Sequence, residues 1–307
     1  PGKTAAFFSG GIDSYFTIAR RMPGNPDGIP AVGKLDDLIT VWGFDIGVHD
    51  EAQFQPLAQS LRKNAATMAF NHIVVRTNLR EPNTVFRTHW GPLTFGVGLA
   101  FIGLLMEARL DELVLGSSYS YGSLVPWGSH PMLDPLFSSS AMRIVHDGAC
   151  HSRFQKTAVV AKLPLEIVSL HVCQAQLDGN CSECEKCFRT MLALDILGQR
   201  ERFSQYFDWN RYNIDRIQTI IISAGGRVFY EELLLAAQTG GRPDIAHALD
   251  HAFKRSRALS PVLATANWLN MLPLLWRAGA LLSKSVSKRS VVPRYVDATR
   301  KSSTPKG

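Results

Sequence analysis

Residues 9–14, Ser-Gly-Gly-Ile-Asp-Ser, are the first group in the chain that could do chemistry, because they could hold phosphate. Gly10 and Gly11 allow the backbone to approach an anion closely. An apolar run precedes them and a helical pattern follows, so the N–H groups and dipole at the start of that helix would favour negative charge. Ser9 and Ser14 add hydroxyl donors. Asp13 would repel phosphate, and a role for it therefore implies Mg²⁺ between the carboxylate and the phosphates.

This glycine segment matches neither of two common nucleotide-binding motifs. It lacks the lysine of G-x-x-x-x-G-K-[ST], and the dinucleotide pattern G-x-G-x-x-G does not occur in the chain. The simpler alternative is a Gly-Gly turn followed by a Ser or Asp helix cap.

Four cysteines form the second group, with the spacing C-x7-C-x2-C-x2-C: Cys173, Cys181, Cys184 and Cys187. Four thiolates that converge on one centre are typical of a closed structural Zn²⁺ site. Turn-forming residues 178–180 would bring the first cysteine back to the others, and a helix beginning near Glu185 would position the last. An Fe–S cluster is the less favoured alternative, because Phe188 stands where a proline often follows the last cysteine of ferredoxins. Four unrelated core cysteines are the simplest alternative.

The segment Ser118–Ser140 contains many Gly, Pro and Ser residues, which predicts a long loop or lid rather than a regular element. Its Trp127, His130 and Asp134 could line a substrate pocket. His130 could act as a general base or ligand near neutral pH, and a hydrogen-bonded loop histidine is an equally good interpretation.

The following segment, Val145–Lys156, includes His146, Asp147 and two cations that could neutralise charge on phosphates, Arg153 and Lys156. These two cations are three residues apart at the start of an expected helix, so they share one face. A solvated helix face is the alternative. Cys150 is the fifth cysteine, and a lone cysteine is usually an inert small residue.

Strands and helices that alternate through the first half must position these groups. This order predicts an α/β fold with a doubly wound parallel sheet, in which ligands bind beyond the carboxyl ends of the strands. The expected strands are Thr4–Phe8, Leu38–Phe44, His72–Thr77 and Glu112–Ser118, and the expected helices are Ser14–Met22, Glu51–Phe70 and Leu93–Leu110.

The pattern changes near residue 200, which predicts a domain over 1–199 and a small helical region over 200–282. Helices are expected at Arg227–Gln238, Asp244–Leu259 and Ala264–Leu282, with Pro273 bending or breaking the last. Residues 283–307 are expected to be a disordered basic tail. Apolar residues make up 46% of the chain and charged residues 19%, which supports a sizeable core.

The net charge of +7 comes almost entirely from the tail, which holds seven Lys or Arg and one Asp, a net +6 that leaves +1 for residues 1–282. A solvated terminus is favoured over an RNA or membrane anchor, so nucleic acid is an unfavoured partner. No apolar run reaches the ~20 residues that a membrane span needs, and no signal peptide is visible. We therefore expect a cytoplasmic protein with reduced cysteines.

Ser-Gly-Gly-x-Asp-Ser after a first strand resembles the PP-loop of the N-type ATP pyrophosphatases, of the adenine nucleotide alpha hydrolase-like (HUP) fold. The resemblance implies cleavage of ATP between the α and β phosphates and adenylation of a substrate oxygen. Ser9, Gly10, Gly11 and Ser14 would then bind the leaving pyrophosphate, and Asp13 would help to place Mg²⁺. Phe44 and Asp45, after the second strand, would lie near the adenosine.

A PP-loop followed by four cysteines is similar in layout to the 7-cyano-7-deazaguanine synthase family, across residues 4–195. That family carries a structural zinc here and converts a carboxylate into a nitrile with ATP and ammonia. The segment between the two motifs is longer in this chain, which leaves the substrate open.

The resemblance implies an ATP-dependent, AMP-forming enzyme, a ligase or amidotransferase-like protein that adenylates a carboxyl or carbonyl oxygen of a small molecule. Ammonia, an amine or another nucleophile would then displace AMP. No glutaminase domain is visible, so ammonia would come free or from a partner; an upstream domain and homo-oligomers stay open. The alternatives are a PP-loop tRNA sulfurtransferase that uses Cys150, and a zinc-stapled nucleotide-binding protein without turnover.

Overall fold

Five parallel strands and the helices between them form the core of the protein, so the predicted α/β class with a parallel sheet is confirmed. The computed structural model describes residues 2–22, 33–82, 84–173, 179–223 and 225–268, the last eight by their backbone alone. The strands are β1 (Lys3–Phe7), β2 (Asp37–Trp42), β3 (Asn71–Arg76), β4 (Leu110–Gly116) and β5 (Arg143–Asp147). The helices are α1 (Ile12–Ala19), α2 (Glu51–Thr67), α3 (Val85–Thr88), α4 (Phe95–Leu104), α5 (Arg153–Val160), α6 (Glu185–Ile196), α7 (Ile214–Thr219), α8 (Arg227–Thr239) and α9 (Pro243–Trp268).

The strand order is β3-β2-β1-β4-β5, so the chain adds strands in one direction from β1 and then returns to add β4 on the other side. Ala6 of β1 is therefore in register with Leu38 of β2 and with Val114 of β4. In parallel sheets the crevice beyond the carboxyl ends of strands at such a reversal is the usual ligand site. The segment after β1, which holds the Ser-Gly-Gly-Ile-Asp-Ser motif, leads into this crevice.

The fifth strand, β5, was not predicted. Its sequence, Arg-Ile-Val-His-Asp, has two apolar residues flanked by charged or titratable ones, and it lies at the edge of the sheet. An edge strand needs burial on fewer sides, so its apolar signal is weak. The structure thus places His146 and Asp147 on a strand.

Alternate residues of the strands face two different cores. Ala6, Leu38 and Val114 pack on one face against α1, α2, α5 and α6. Ala5, Ile39 and Leu113 pack on the other face, which α4 covers. Helices therefore lie on both faces, as a doubly wound sheet requires.

The predicted helix Leu93–Leu110 is shorter in the structure, because a π-helical turn at Trp90–Thr94 precedes α4.

Glycines allow α4 to lie close to its neighbours. A Cβ atom at Gly103 would be 2.3 Å from Leu113 Cδ2, and one at Gly96 would be 2.2 Å from the carbonyl oxygen of Gly128. Close approach therefore explains glycines whose helix propensity is poor.

The helices after residue 200 pack on the same core as the sheet, since Tyr230 of α8 and Leu249 of α9 join the cluster that contains Phe188. The prediction of separate helices at Asp244–Leu259 and Ala264–Leu282 was wrong at the first break, because α9 runs without interruption to Trp268. A long helix can lose the one hydrogen bond that a proline such as Pro261 removes. Pro273 and the tail over 283–307 lie outside the described residues, and the domain limits at 199 and 282 stay predictions.

Within the described ranges, each helix is too short or too polar to cross a lipid bilayer.

Candidate functional site

The turn between β1 and α1 requires glycine at position 10. Gly10 has φ +79°, a conformation that residues with a side chain rarely adopt. A Cβ atom there would lie 3.2 Å from both Leu61 Cδ2 and the carbonyl oxygen of Ser169. The amide of His171 donates to the Gly10 carbonyl oxygen at 2.9 Å, which fixes the turn against the segment that leads to Cys173.

Helix α1 begins without a side-chain cap. Gly11 is its N-cap residue, and no Ser or Asp side chain among the described residues accepts a hydrogen bond from its first turn. The hydroxyl of Ser14 donates to the Gly11 carbonyl oxygen at 2.9 Å, and Ser9 Oγ accepts from the Gly11 amide at 3.4 Å. The Ser or Asp cap of the simpler alternative is therefore not formed, although the glycine turn is present. The positive end of the α1 dipole faces the crevice between β1 and β4.

Two cations from α5 meet Asp13 at this helix start. Arg153 Nη2 lies 2.8 Å from Asp13 Oδ2, and Lys156 Nζ lies 3.5 Å from Asp13 Oδ1. The prediction that Arg153 and Lys156 share one face is confirmed, and that face is not solvated, because the Lys156 side chain is 1% exposed. A capping box at Ser152, in which its hydroxyl accepts from the Gln155 amide, sets the start of α5.

The ammonium of Lys156 is held by the end of β4. It donates to the carbonyl oxygen of Ser117 at 2.5 Å and to Ser117 Oγ at 2.7 Å. Burial lowers the pKa of Lys156, and the nearby Asp13 carboxylate opposes that shift. Lys156 thus links the two strands at the reversal point, since β1 leads to Asp13 and β4 leads to Ser117.

Two further cations were missed by the sequence reasoning, Lys186 and Arg189 on α6. Removal from water lowers the pKa of Lys186, while Asp45 and Asp13 favour its charged form, which places Lys186 in the electrostatic field of both carboxylates. Arg189 is almost buried, pairs with Glu185 at 2.9 Å and feels the charge of Arg153. Both cations flank Cys187 in the sequence, and that segment was interpreted only as a metal site.

Phe44 and Asp45, expected near an adenosine, follow β2 at the same edge of the sheet. The Phe44 ring is buried 4.6 Å from the Trp90 ring, so it forms part of the core. The Asp45 carboxylate is exposed and lies 3.3 Å from Arg80 Nη1, which also donates to the Phe44 carbonyl oxygen. Of this pair, only Asp45 has an exposed side chain.

His130 does not join the cations around Asp13. In the described part of the chain its hydrogen bonds stay within its own loop, where Nδ1 accepts from the Met132 amide at 3.2 Å and its amide donates to Asp134. This geometry matches the alternative of a structural loop histidine. Trp127 packs in the same loop, against Gly91 and 5.9 Å from the Tyr119 ring.

His146 on β5 has the better arrangement for acid–base chemistry. Its Nδ1 lies 2.7 Å from Asp134 Oδ2, and Ser129 Oγ donates to the same carboxylate oxygen at 2.7 Å. The Asp134 side chain is fully buried and that of His146 is 4% exposed. His146 Nε2 is buried and has no hydrogen-bond partner among the described residues. An imidazole whose Nδ1–H is held by a carboxylate presents Nε2 as a proton acceptor.

Asp147, the last residue of β5, points to the other face and is bound by two arginines of the α1 end. Arg20 Nη1 lies 2.5 Å from one carboxylate oxygen and Arg21 Nη1 lies 3.0 Å from the other. The negative charge of Asp147 also favours the charged form of Lys156, so Asp147 contributes to the electrostatics of the site without touching Asp13 in the described contacts.

The four cysteines meet at one point, and all four sulfur atoms lie within 4.8 Å of one another. The Sγ atoms of Cys173 and Cys184 are 3.8 Å apart, and those of Cys181 and Cys187 are 3.9 Å apart. A tetrahedral Zn²⁺ with bonds of about 2.3 Å requires sulfur–sulfur distances of about 3.8 Å. The set therefore fits one metal ion, which corrects the alternative of unrelated core cysteines. A multi-iron cluster would need more space between the sulfur atoms.

Backbone amides and one side chain hold the cysteines in place. The amides of Cys184 and Glu183 donate to Cys181 Sγ at 3.2 and 3.5 Å, around Ser182 with φ +60°. Asn180 Oδ1 accepts from the amides of Val172 and Cys173, which brings the first cysteine to the rest. Residues 174–178 lie outside the described part of the chain.

The four cysteine sulfur atoms are so close together that their thiolate forms would repel one another without a cation between them. The pKa of Cys187 is raised far above its usual range. The thiol form is favoured by hydrogen bonds to Cys173 and Cys184 and by burial. Thiolates packed this closely are stable only with a positive ion between them.

Cys150 lies on the loop between β5 and α5, at the carboxyl edge of the sheet. It is exposed, and its Sγ is 3.2 Å from Nδ1 of His151. It is therefore not a buried packing residue.

No family model, no curated protein and no solved structure matches this chain.

Proposed function

We propose that this protein is a PP-loop ATP pyrophosphatase of the HUP class. It converts ATP to AMP and pyrophosphate, adenylates a carboxyl or carbonyl oxygen of a small molecule, and passes the activated group to ammonia, an amine or another nucleophile.

One observation carries the proposal: Asp13, Arg153 and Lys156 converge at the uncapped start of α1, after a glycine turn at the reversal point of a parallel sheet. A turn that served only the fold would need neither a buried lysine nor a carboxylate shared by two cations. Anions bind at such helix starts. The cations of α5 and α6 stabilise the negative charge that spreads over the phosphates as the bond between the α and β phosphates breaks.

The donors around Asp13 fit Mg²⁺ bound together with a nucleotide. Mg²⁺ usually binds through one or two carboxylates and the substrate phosphates, and Asp13 Oδ1 makes no hydrogen bond in the described residues. When bound, Mg²⁺ would screen the phosphates and polarise the bond that breaks. Gly10, Gly11 and the hydroxyls of Ser9 and Ser14 hold the pyrophosphate. His146, oriented by Asp134, accepts the proton of the nucleophile.

The cysteine cluster holds a structural Zn²⁺ in this proposal, because four sulfur ligands leave no open position for a substrate. Metal analysis of the purified protein would test this assignment, and iron with acid-labile sulfide would contradict it.

Product analysis tests the main proposal. The purified protein is incubated with Mg-ATP, ammonium and a panel of carboxylic acids, and the nucleotide products are separated. We expect AMP and pyrophosphate. ADP and phosphate would refute the proposal, and ATP binding without any pyrophosphate release would favour a non-catalytic nucleotide-binding protein.

Sulfur transfer to tRNA is a second candidate, and the exposure of Cys150 at the same edge of the sheet favours it. The Cys150 thiolate would attack the sulfane sulfur of a persulfide donor and release the donor thiolate. The terminal sulfur of the Cys150 persulfide would displace AMP from an adenylated base, and an external dithiol would then reduce the S–S bond, freeing the thiolated base and Cys150 as the dithiol becomes a disulfide. Cys150→Ala should abolish product formation only in this mechanism.

A further inference from the structure

Phe229 of α8 contacts the two arginines of the candidate site at once. The Cζ atom of Arg189 lies 4.0 Å from the centre of the Phe229 ring, and that of Arg153 lies 5.4 Å away. The Tyr119 ring stacks on Phe229 at 5.2 Å with an angle of 24° between the planes. Phe229 is 7% exposed, so these contacts take place away from water.

Two guanidinium groups near one ring repel each other, and contacts with the ring and with two carboxylates oppose that repulsion. The negative face of an aromatic ring attracts each cation. Arg189 also pairs with Glu185, and Arg153 pairs with Asp13. An anion bound between the two groups would remove the repulsion.

A second residue of α8 fixes the helix against this site. Glu232, one turn after Phe229, accepts a hydrogen bond from the amide of Phe154 at 3.3 Å. The start of α5, which carries Arg153, therefore rests on α8. Burial raises the pKa of Glu232, and the nearby Arg153 and Arg189 oppose that shift.

We propose that Phe229 is a positioning residue of the anion site: it holds Arg153 and Arg189 at a spacing that lets one pyrophosphate group contact both. The residue also links the site to the loop over 118–140 through Tyr119. The helical region after residue 200 is therefore part of the site. This inference rests on the proposed function, and it names inorganic pyrophosphate as the ligand that the arginine pair selects.

Binding of inorganic pyrophosphate in the presence of Mg²⁺, measured by calorimetry on the full chain, tests the proposal. Phe229→Leu removes the π face, and Phe229→Tyr keeps it. We expect Phe229→Leu to weaken binding by about tenfold or more, and Phe229→Tyr to bind nearly as well as wild type. Leu235→Ala, at a 62% exposed position of the same helix, is the control.

A merely structural role for Phe229 would give a different pattern. Equal losses in Phe229→Leu and Phe229→Tyr, or no loss in either, would overturn the proposal. If Phe229→Leu does not fold, as judged by its thermal unfolding midpoint, Phe229→Met supplies the comparison, since it conserves volume without a ring.

The inference and the proposed function fail in different ways. If wild type makes AMP and Phe229→Leu binds pyrophosphate normally, only the inference is wrong. If pyrophosphate binds and depends on the ring but ATP is not cleaved, only the function is wrong. A wild-type protein that binds no pyrophosphate overturns both.

Discussion

At the scale of single residues, Asp13 decides how the candidate site works, because two cations converge on it and its Oδ1 makes no hydrogen bond in the described residues. Its neighbours Ser9 and Ser14 could be replaced by water or backbone donors. A carboxylate that repels phosphate is harder to explain without a metal ion.

Asp13→Asn should therefore reduce AMP formation by about 10²-fold or more, while the fold and the zinc content persist. The amide keeps the size of the side chain but loses the charge that would attract Mg²⁺. Product assays with circular dichroism and metal analysis would check this. Asp250→Asn, which alters an exposed pair with Lys254, is the matched control; undiminished activity in Asp13→Asn would remove Asp13 from the mechanism.

A second residue prediction separates the two histidines. Nδ1 of His130 already accepts a backbone hydrogen bond, whereas His146 is oriented by Asp134 and its buried Nε2 has no hydrogen-bond partner among the described residues. We expect His146→Gln to lower the rate of product formation by about 10²-fold, the usual share of a general base, and His130→Gln to have little effect. Initial rates at saturating ATP would show it. The reverse order of effects would restore His130 as the base.

At the scale of elements, the pairing of β2 and β3 contains a pH-sensitive contact. His72 Nε2 lies 2.9 Å from Thr40 Oγ1, and Thr40 in turn donates to the carbonyl oxygen of Phe8, next to the glycine turn. Burial lowers the pKa of His72 from 6.5 to about 4. The folded protein therefore keeps this imidazole neutral where the unfolded chain would protonate it.

Acidification should therefore destabilise the folded protein through His72. Between pH 6.5 and about 4 the unfolded state binds a proton that the folded state does not, so the free energy of unfolding falls as the pH falls. Because His72 is partly exposed, the loss is about 1 kcal/mol. Urea titrations at pH 7 and pH 4.5 should show a smaller pH dependence in His72→Gln than in wild type. An equal change in the free energy of unfolding between the two pH values in both proteins would contradict the lowered pKa of His72.

Sequence patterns predicted the elements with strong apolar periodicity and missed those whose burial depends on distant partners. Four strands and the start of α5 were predicted to within a few residues, whereas β5, with two apolar residues, was not. Likewise, Arg153 and Lys156 were found from their spacing. Lys186, Arg189 and Phe229 were not, because only the packing of α6 and α8 brings Phe229 against Arg153 and Arg189 and puts Lys186 under the electrostatic influence of Asp13.

At the scale of the whole molecule, hydrogen bonds connect the cysteine cluster to the glycine turn. The segment that ends at Cys173 bonds to the Gly10 carbonyl through the His171 amide and to the Tyr15 hydroxyl through the Ser169 amide. On the other side of the cluster, Cys187 is followed within one turn by Arg189. A metal ion bound by the four cysteines would therefore anchor two walls of the candidate site.

Loss of one ligand should consequently damage both stability and phosphate binding. We expect Cys184→Ser to lose most of its zinc and to lower the free energy of unfolding by on the order of a few kcal/mol. Pyrophosphate affinity should fall in parallel. Cys150→Ser, which alters the exposed cysteine, should retain zinc and stability. Thermal unfolding with and without a chelator would compare them, and unchanged stability in Cys184→Ser would show that the metal does not support the fold.

The strand order also sets the sequence of events when the chain is made. Asp13 leaves the ribosome first, but its partners Arg153 and Lys156 come some 140 residues later, and Phe229 later still. Parallel pairing of β1 with β4 likewise waits for residue 110. Contacts between parts of the chain so far apart form slowly, and unpaired strands are exposed to aggregation meanwhile. The nascent glycine turn must therefore remain without these two cations until some 140 further residues have been made, which makes this protein a candidate for chaperone dependence.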